Sequence, residues 1–427
     1  MILGSGGREH ALAWSCHRSR LKPELYTAPG NGGTAGFCTN VVLDLNDSDA
    51  IVEFAITEGI RLVVVGPEAP LVAGIADELA TAGVMVFGPT RAAAQLEGSK
   101  SYVKHLLRDL KLPTADYETF TSFPEAKNYI DHHRLPLVVK ASGLAAGKGA
   151  IICDSTESAL KTAEDMLVNN IFGSAGSEII VEEFIPGREL SLIAIVDGED
   201  YLLLPPSRDH KRAFDGDKGL NTGGMGAYSP VEDVSLDEAK RIAALIYPPV
   251  LKKMVDSGTP YQGFLFAGVM LTSDGPNVLE FNCRFGDPEA QAILPLLSFD
   301  LLEVILEVCK GGFRGWISSF GFDPNDWSKT TNGKHAVTVV IAAEGYPGNY
   351  KKGMYIENLP PETANVIPYH AGTFISSGSL KTNGGRIITV TGMADTHDAA
   401  VNVAYQAVEQ VQIGGTFYRS DIGREPF

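Results

Sequence analysis

Val278-Leu-Glu-Phe-Asn-Cys-Arg-Phe-Gly-Asp-Pro-Glu-Ala-Gln291 is the stretch from which the rest of the chain can be read. After the turn-like Ser273-Asp-Gly-Pro276, its first half alternates as a strand does. Leu279 and Phe281 are expected on one face, Glu280 and Asn282 on the other. A carboxylate and a carboxamide on one wall suit a hard cation such as Mg²⁺, which takes oxygen ligands and is usually held together with substrate phosphates. The plainer alternative is an edge strand with a solvated polar face. Such a strand does not need the charges that follow at Arg284, Asp287 and Glu289, grouped around a Phe-Gly-Asp-Pro turn.

Outward from this stretch, 427 residues are too many for one core and predict about three domains. Hydrophobic residues make up 44% and charged residues 20%, without an apolar run of the roughly 18 residues a membrane helix needs. The net charge of −17 argues against nucleic-acid and anionic-membrane partners, both of which require a basic face. Phosphate ligands remain open to it, because bare backbone N–H groups and local cations suffice. The start Met1-Ile-Leu-Gly-Ser-Gly-Gly-Arg-Glu-His10 has no signal-peptide pattern, and the five cysteines form no CxxC pair. A cytoplasmic protein with reduced thiols is expected.

Residues 1–96 alternate short apolar runs (Ile2-Leu3, Leu62–Gly66, Val84–Gly88) with helical patterns, as in a doubly wound parallel sheet. Ligands bind such sheets at the carboxyl ends of the strands. That places Gly4, Gly6 and Gly7, Asn31 in Pro29–Thr34, and Pro67 in Gly66–Leu71 among the candidate substrate contacts. Gly4-Ser-Gly-Gly-Arg-Glu9 has Glu9 where a dinucleotide fingerprint would have its third glycine. It reads as a phosphate pocket, with a tight strand-to-helix turn as the alternative. The first strand is short, so a trimmed N-terminus is expected.

From residue 97 the texture changes. Leu137–Cys153 reads as strand, glycine loop, strand, and differs from a Walker A motif in spacing and in the strand that follows. It is expected to form a flap over phosphates, with Lys140 and Lys148 within reach of anionic oxygens. Strands follow at Glu178–Ile185 and Ser191–Val196. Beyond them lie a polar cluster, Ser207–Arg212, that includes Asp209, and a glycine-rich run, Gly219–Tyr228, expected to lie close to a ligand. A helix over 235–257, a buried strand Gly263–Leu271 pairing with the Glu280 strand, a helix near 300–310 and a loop over 311–333 come next. Residues 334–427 are expected to form a small α+β domain, with the central unit at 97–320 and a lid subdomain at about 115–190.

Taken together, Gly6–His10, Gly66–Pro70, Gln95–Lys100, Ala145–Gly149, Asp209–Arg212, Asn221–Tyr228 and Arg284–Glu289 resemble the ATP-grasp ligases, and within them the glycinamide ribonucleotide synthetase family. The resemblance runs over essentially the whole chain and implies an ATP-grasp fold. It implies that Lys100 and Lys140 steady nucleotide phosphates, that the backbone of Glu182, Glu183, Phe184 and Ile185 reads adenine, and that Glu189 meets the ribose hydroxyls. Arg212 and Asn221 match ATP-contacting positions, and Glu280 and Asn282 match ligands for Mg²⁺ or Mn²⁺. Charge matching then assigns Arg284 to the carboxylate and Asp287 to the ammonium of glycine. The implied reaction joins glycine to 5-phosphoribosylamine through glycyl phosphate, at the expense of ATP, in purine biosynthesis, with no covalent enzyme nucleophile. In animals the family is fused to later enzymes of the pathway, so a module of a longer polypeptide is an expectation.

Two positions depart from the pattern. Ala290 stands where the family often has a small hydroxyl or thiol residue, and Gly268 where many ATP-grasp enzymes carry a third metal carboxylate. The rival readings are another ATP-grasp ligase, such as a carboxylase, an NAD-dependent dehydrogenase, and a non-catalytic nucleotide-binding module. The loops at 4–10 and 284–289 speak against the carboxylase, the incomplete glycine fingerprint against the dehydrogenase, and the charge-rich 207–228 segment against the module.

Overall fold

The computed structural model describes residues 1–145, 147–321 and 323–424. Ala146 of the expected flap and Phe322 of the expected 311–333 loop lie outside the described residues.

The N-terminal unit is a five-stranded parallel sheet in the order Thr39–Asn40, Tyr26–Pro29, Ile2–Gly4, Leu62–Val65, Met85–Phe87. The short first strand is stable because it is central, with a parallel neighbour on each side. The helix Gly7–His17 follows at once. It opens with a capping box, the Glu9 carboxylate accepting from the Gly6 N–H at 2.6 Å, and buries Ala11, Leu12, Ala13 and Cys16.

The next unit has two sheets. In the first, Tyr117–Phe120, Ile179–Glu183, Leu137–Ala141 and Ala150–Cys153 are antiparallel. It packs on the helices Phe123–His132 and Thr156–Leu167 around its own core of Phe120, Ile130, Val139, Met166 and Val181. The second sheet runs Asp200–Leu203, Arg188–Asp197, Gln262–Thr272, Gly275–Asn282. Tyr247, on the long helix Leu236–Asp256, donates its hydroxyl to the carbonyls of Leu192 and Leu265 at 3.0 and 3.2 Å.

The decisive strand carries a correction. Glu280 pairs with Gly268 while Val278 pairs with Val269, so Leu279 is an extra residue outside the ladder. Val278 and Phe281, not Leu279 and Phe281, enter the core. The bulge still leaves Glu280 and Asn282 two residues apart and half-buried.

Beyond residue 310 a helix, Phe313–Phe320, replaces part of the expected loop; it buries Phe313 and Ile317. The C-terminal sheet is not built from residues 334–427 alone. Its order is Arg208–Asp209, Gly226–Ser229, His335–Ala343, Arg386–Ala394, Val366–His370, so two short strands of the preceding unit extend it. The helix His397–Val408 covers it with Ala400, Ala404 and Val408. Among the described residues, no helix is long and apolar enough to cross a membrane.

Candidate active site

Four cations surround Glu280. Burial alone would push its carboxyl up, but Lys211, Lys140, Lys100 and Arg284 together hold it below the usual carboxylate range. A group kept charged under these conditions is a competent hard-metal ligand. Asn282 accepts from Arg284 Nη2 at 3.2 Å through Oδ1, which fixes its amide with the oxygen toward the same cluster. A Cβ at Gly268 would stand 3.3 Å from Glu280 Cγ, so a longer side chain at that position would crowd this ligand. Arg284 itself is firmly held. It donates to Glu97 at 2.9 Å, to Glu68 at 3.3 Å and to the Phe285 carbonyl at 3.2 Å. Glu68 opens the helix that Pro67 caps, and this is how the 66–71 loop reaches the site.

A second charged group lies at the lid. Glu182 is buried between Lys140 and Lys104, with Lys104 Nζ at 2.6 Å. The sequence reading missed Lys104; the signal was a second lysine one turn after Lys100 on an amphipathic helix, Lys100–Asp109, whose buried face it shares. Lys100 lies instead under the flap, donating to the Gly143 carbonyl at 3.1 Å. Lys140 pairs with Ala150 across the flap hairpin, as expected for strand, loop, strand. Lys148 is exposed at the flap tip, away from this cluster. At the hinge, Glu183 N–H is taken by the Asp116 carbonyl and Phe184 N–H by that of Pro136. Among the described residues, no protein carbonyl takes the Ile185 N–H.

Near Glu280 stands an acidic group around one lysine. Lys211 pairs with Glu189, and its charge also acts on Asp209 and Glu280. Burial, with Glu289, Glu189 and Glu280 nearby, pushes the Asp209 carboxyl up to about 8 against the pull of Lys211. Lys211 was also missed, standing between the two residues singled out at Asp209 and Arg212. Arg212 and Asn221 face each other across a small hairpin, Arg212–Phe214 with Lys218–Asn221, and Arg212 Nη1 donates to the Gly219 carbonyl at 2.8 Å.

The N-terminal turn is tighter than a phosphate cradle requires. Gly4 has φ +122°, and the Glu9 side chain fills the space a Cβ would need at Gly4, Gly6 and Gly66. At Gly7 the space is taken by Gln291. Asn31 is buried and fully committed: its amide donates to the carbonyls of Ser5 and His370 at 3.0 and 2.9 Å, and its oxygen accepts from Gly33 and Thr34. Asp287, read as the ammonium partner, is likewise occupied. Arg386 approaches it at 3.2 Å, Gln291 donates to it at 2.8 Å and the Arg8 N–H at 3.5 Å. Asn31 and Asp287 thus already have partners within the protein. Arg386, invisible as a site residue in the sequence, also donates to the Gly223 carbonyl at 2.7 Å and the Asp287 carbonyl at 2.7 Å. The glycine run expected to skirt a ligand is explained here by packing. Gly224, at φ +112°, lies against Pro288, and Gly226 against Ile422 and Thr338.

Two surface cavities, one of about 680 Å³ between the helices Ser48–Thr57 and Ile75–Thr81 and one of about 730 Å³ lined by Trp14, Arg18 and Lys334, share no lining residue with this cluster. The charged cluster is recognised by its chemistry rather than by a cavity volume.

Comparisons with known proteins agree with the geometry. Three family models match in succession: phosphoribosylglycinamide synthetase N domain over residues 1–97, its ATP-grasp (A) domain over 98–290, and its C domain over 336–425. The chain is 46% identical to phosphoribosylamine–glycine ligase of Ralstonia nicotianae over 99% of its own length and 98% of that protein. It is 45% identical to the trifunctional purine biosynthetic protein adenosine-3 of Gallus gallus, covering 99% of this chain but 42% of that one. A crystal structure of phosphoribosylamine–glycine ligase from Thermotoga maritima superposes with a TM-score of 0.85, at 34% identity and 99% coverage of both chains. A biotin carboxylase domain from Hydrogenobacter thermophilus shares the fold, with a TM-score of 0.75 at 16% identity, over 98% of this chain and 91% of that one. The chain belongs to the phosphoribosylglycinamide synthetase family of ATP-grasp enzymes.

Proposed function

We propose that this chain joins glycine to 5-phosphoribosylamine with hydrolysis of ATP to ADP and phosphate, forming glycinamide ribonucleotide. The observation that carries this reading is the pairing of Glu280 and Asn282 within a ring of Lys100, Lys140, Lys211 and Arg284. A carboxylate is a poor acylating agent. In the proposed course, a glycine carboxylate oxygen attacks the γ-phosphorus and ADP leaves. The ribosylamine nitrogen then attacks the acyl carbon of glycyl phosphate, loses a proton and expels phosphate. No covalent enzyme nucleophile is needed. The protein's part is positioning and charge neutralisation.

The donor set, one charged carboxylate and one oriented amide oxygen, fits a divalent cation of the Mg²⁺ or Mn²⁺ type, and we favour Mg²⁺ on the hardness of the ligands. Such a cation would neutralise phosphate charge. Lys140, with Lys104 behind it, and Arg212 would meet the phosphates, and Lys100 would tie the closed flap to them through Gly143. The flap would keep water from the acyl phosphate. The Ile185 N–H is the hinge donor best placed to read a base edge, with Glu189 toward the ribose.

For glycine, Arg284 has a single N–H left after its bonds to Glu68, Glu97, Asn282 and the Phe285 carbonyl. One hydrogen bond to the carboxylate is its reach. The ammonium would be met by Asp209 and Glu289, buried carboxyls that its arrival would help to ionise, because Asp287 is already engaged by Arg386. The ribosylamine would enter from the side of the N-terminal turn, where Arg8 and Arg386 bring positive charge beside Asp287. All five cysteines are free, which suits the cytoplasm. The test is ADP release by the purified chain with phosphoribosylamine generated in situ. Release that depends on both glycine and phosphoribosylamine is expected, and release indifferent to glycine would overturn the reading.

A further inference from the structure

The hairpin that carries Arg212 and Asn221 pairs with no other strand among the described residues. A lone two-stranded hairpin is marginal in water, and this one buries little. Phe214 and Leu220 are exposed, with Ala213 as its buried apolar residue. Something else must set its position, and the contacts that do so come from the end of the chain.

Arg419 is 1% exposed. Its guanidinium grips Asp421 with two bonds, at 2.7 and 2.8 Å, and its Nη1 donates to the Arg212 carbonyl at 3.0 Å and to Asp217 at 2.8 Å. Asp421 accepts from the Gly216 N–H at 2.8 Å, and the Ser420 N–H donates to Asp215 at 2.9 Å. Phe417 lies 5.6 Å from Phe214, ring centre to ring centre. The other side of this tail is anchored to the helix His397–Val408. The Tyr405 hydroxyl donates to the Arg419 carbonyl at 2.9 Å and accepts from the Ile422 N–H at 2.8 Å. The tail is thus a strap between the C-terminal domain and the tip and first strand of the hairpin.

We propose that Arg419 is a positioning residue for the nucleotide. It holds the backbone of Arg212 and so acts on ATP without touching it, a reading that rests on the assignment of Arg212 and Asn221 to ATP. The guanidinium geometry matters as well as the charge. A lysine keeps the charge but cannot grip Asp421 with a fork while also holding the Arg212 carbonyl and Asp217.

The experiment uses the full chain and three variants: Arg212→Ala, Arg419→Lys and Asp215→Ala. Asp215 is exposed, so its replacement loosens the strap at low risk to folding. Arg212→Ala should raise the KM for ATP. Arg419→Lys should raise it roughly tenfold or more by misplacement alone, while the KM for glycine stays within about twofold. Asp215→Ala should move it in the same direction by less. Direct titration with MgATP should show the same weakening, and hydrogen exchange across residues 212–221 should quicken. If Arg212→Ala raises the KM for ATP but Arg419→Lys and Asp215→Ala leave it unchanged, the strap is structural only and the proposal fails. If Arg212→Ala itself leaves ATP binding intact, the hairpin is not a nucleotide element, and the proposal falls with that assignment.

Discussion

Glu280 lies on a strand whose ladder survives the loss of a charge, so its role can be separated from folding. Glu280→Gln keeps the shape and removes the charge that Lys100, Lys140 and Lys211 stabilise. Turnover at saturating Mg²⁺ should drop by about 10²-fold or more, in the range seen for one lost electrostatic donor, far out of proportion to any fall in melting temperature. Parent-like turnover would remove Glu280 from the metal site. Lys104 is a different case, because it is buried against Glu182. Burial would raise the Glu182 carboxyl, yet Lys140 and Lys104 hold it below its ordinary value. Its contribution is therefore in place above the unfolded value, near 4.3, and is lost as pH falls through the folded value. Lys104→Met should cost about 2 kcal/mol at pH 7, Lys140 still serving the carboxylate. Urea unfolding should show that cost shrinking as the pH is taken below about 4; a cost independent of pH would mean that Lys104 contributes packing and not charge.

Among the elements, the flap is the one built to move. Its ends are fixed by Ala141 N–H on the Gly149 carbonyl and Gly143 N–H on the Ala175 carbonyl, both within 3.0 Å, whereas Gly147 and Lys148 at the tip are exposed. Hydrogen exchange over 142–150 should slow when MgATP is added, by roughly tenfold if nucleotide contacts are worth about 1.4 kcal/mol there. Unchanged exchange would take the lid out of the mechanism. The flap was legible because its flanking strands, Leu137–Ala141 and Ala150–Cys153, are short and largely apolar, with a glycine-rich loop between them. The strands Leu62–Val65 and Gln262–Thr272 were legible as largely apolar runs too. Tyr26–Pro29 and Thr39–Asn40 were not, since a Tyr-Thr-Ala-Pro strand owes its existence to the parallel neighbour Ile2–Gly4 and not to its own propensity. The helix Phe313–Phe320 was hidden by Gly315 and two serines, which read locally as loop. In the site, residue types and spacing pointed to Glu280, Asn282 and Arg284. What they could not reveal was prior engagement, because Asp287 and Asn31 are met by Arg386 and the His370 carbonyl, partners from a distant part of the chain.

At the scale of the whole molecule, the N- and C-terminal units meet at a pair of histidines, His10 buried and His370 half-buried. His10, on the helix Gly7–His17, accepts the His370 N–H through Nδ1 at 2.7 Å, and the rings lie 5.5 Å apart. Next to them, Thr373 accepts from Gly32, and His370 Nδ1 meets Thr373 Oγ1 at 3.1 Å, so the loop after Tyr26–Pro29 is tied to the same contact. An acceptor nitrogen must be unprotonated. Burial first, then the neighbouring His370, lowers His10 to about 3, and burial lowers His370 to about 4. In the unfolded chain both titrate near 6.5. Below that pH the unfolded state takes up protons that the folded state refuses, so stability falls with pH by up to about 1.4 kcal/mol per unit for each histidine. The fall runs from about 6.5 down toward the folded values. Between pH 6.5 and 5 the carboxylates held below their ordinary values do not yet contribute, and Asp209, held near 8, acts with the opposite sign in parent and variant alike. His10→Gln keeps an acceptor for the His370 N–H and removes one of the two titrating rings. Chemical denaturation across that interval should therefore show the slope of stability against pH reduced in the variant by one histidine's share, up to about 1.4 kcal/mol per unit, with His370, His210 and His335 still contributing. Hydrogen exchange in the parent should rise first in residues 30–34 and 368–373. An unchanged slope in His10→Gln would mean that acid does not act on the molecule through this contact.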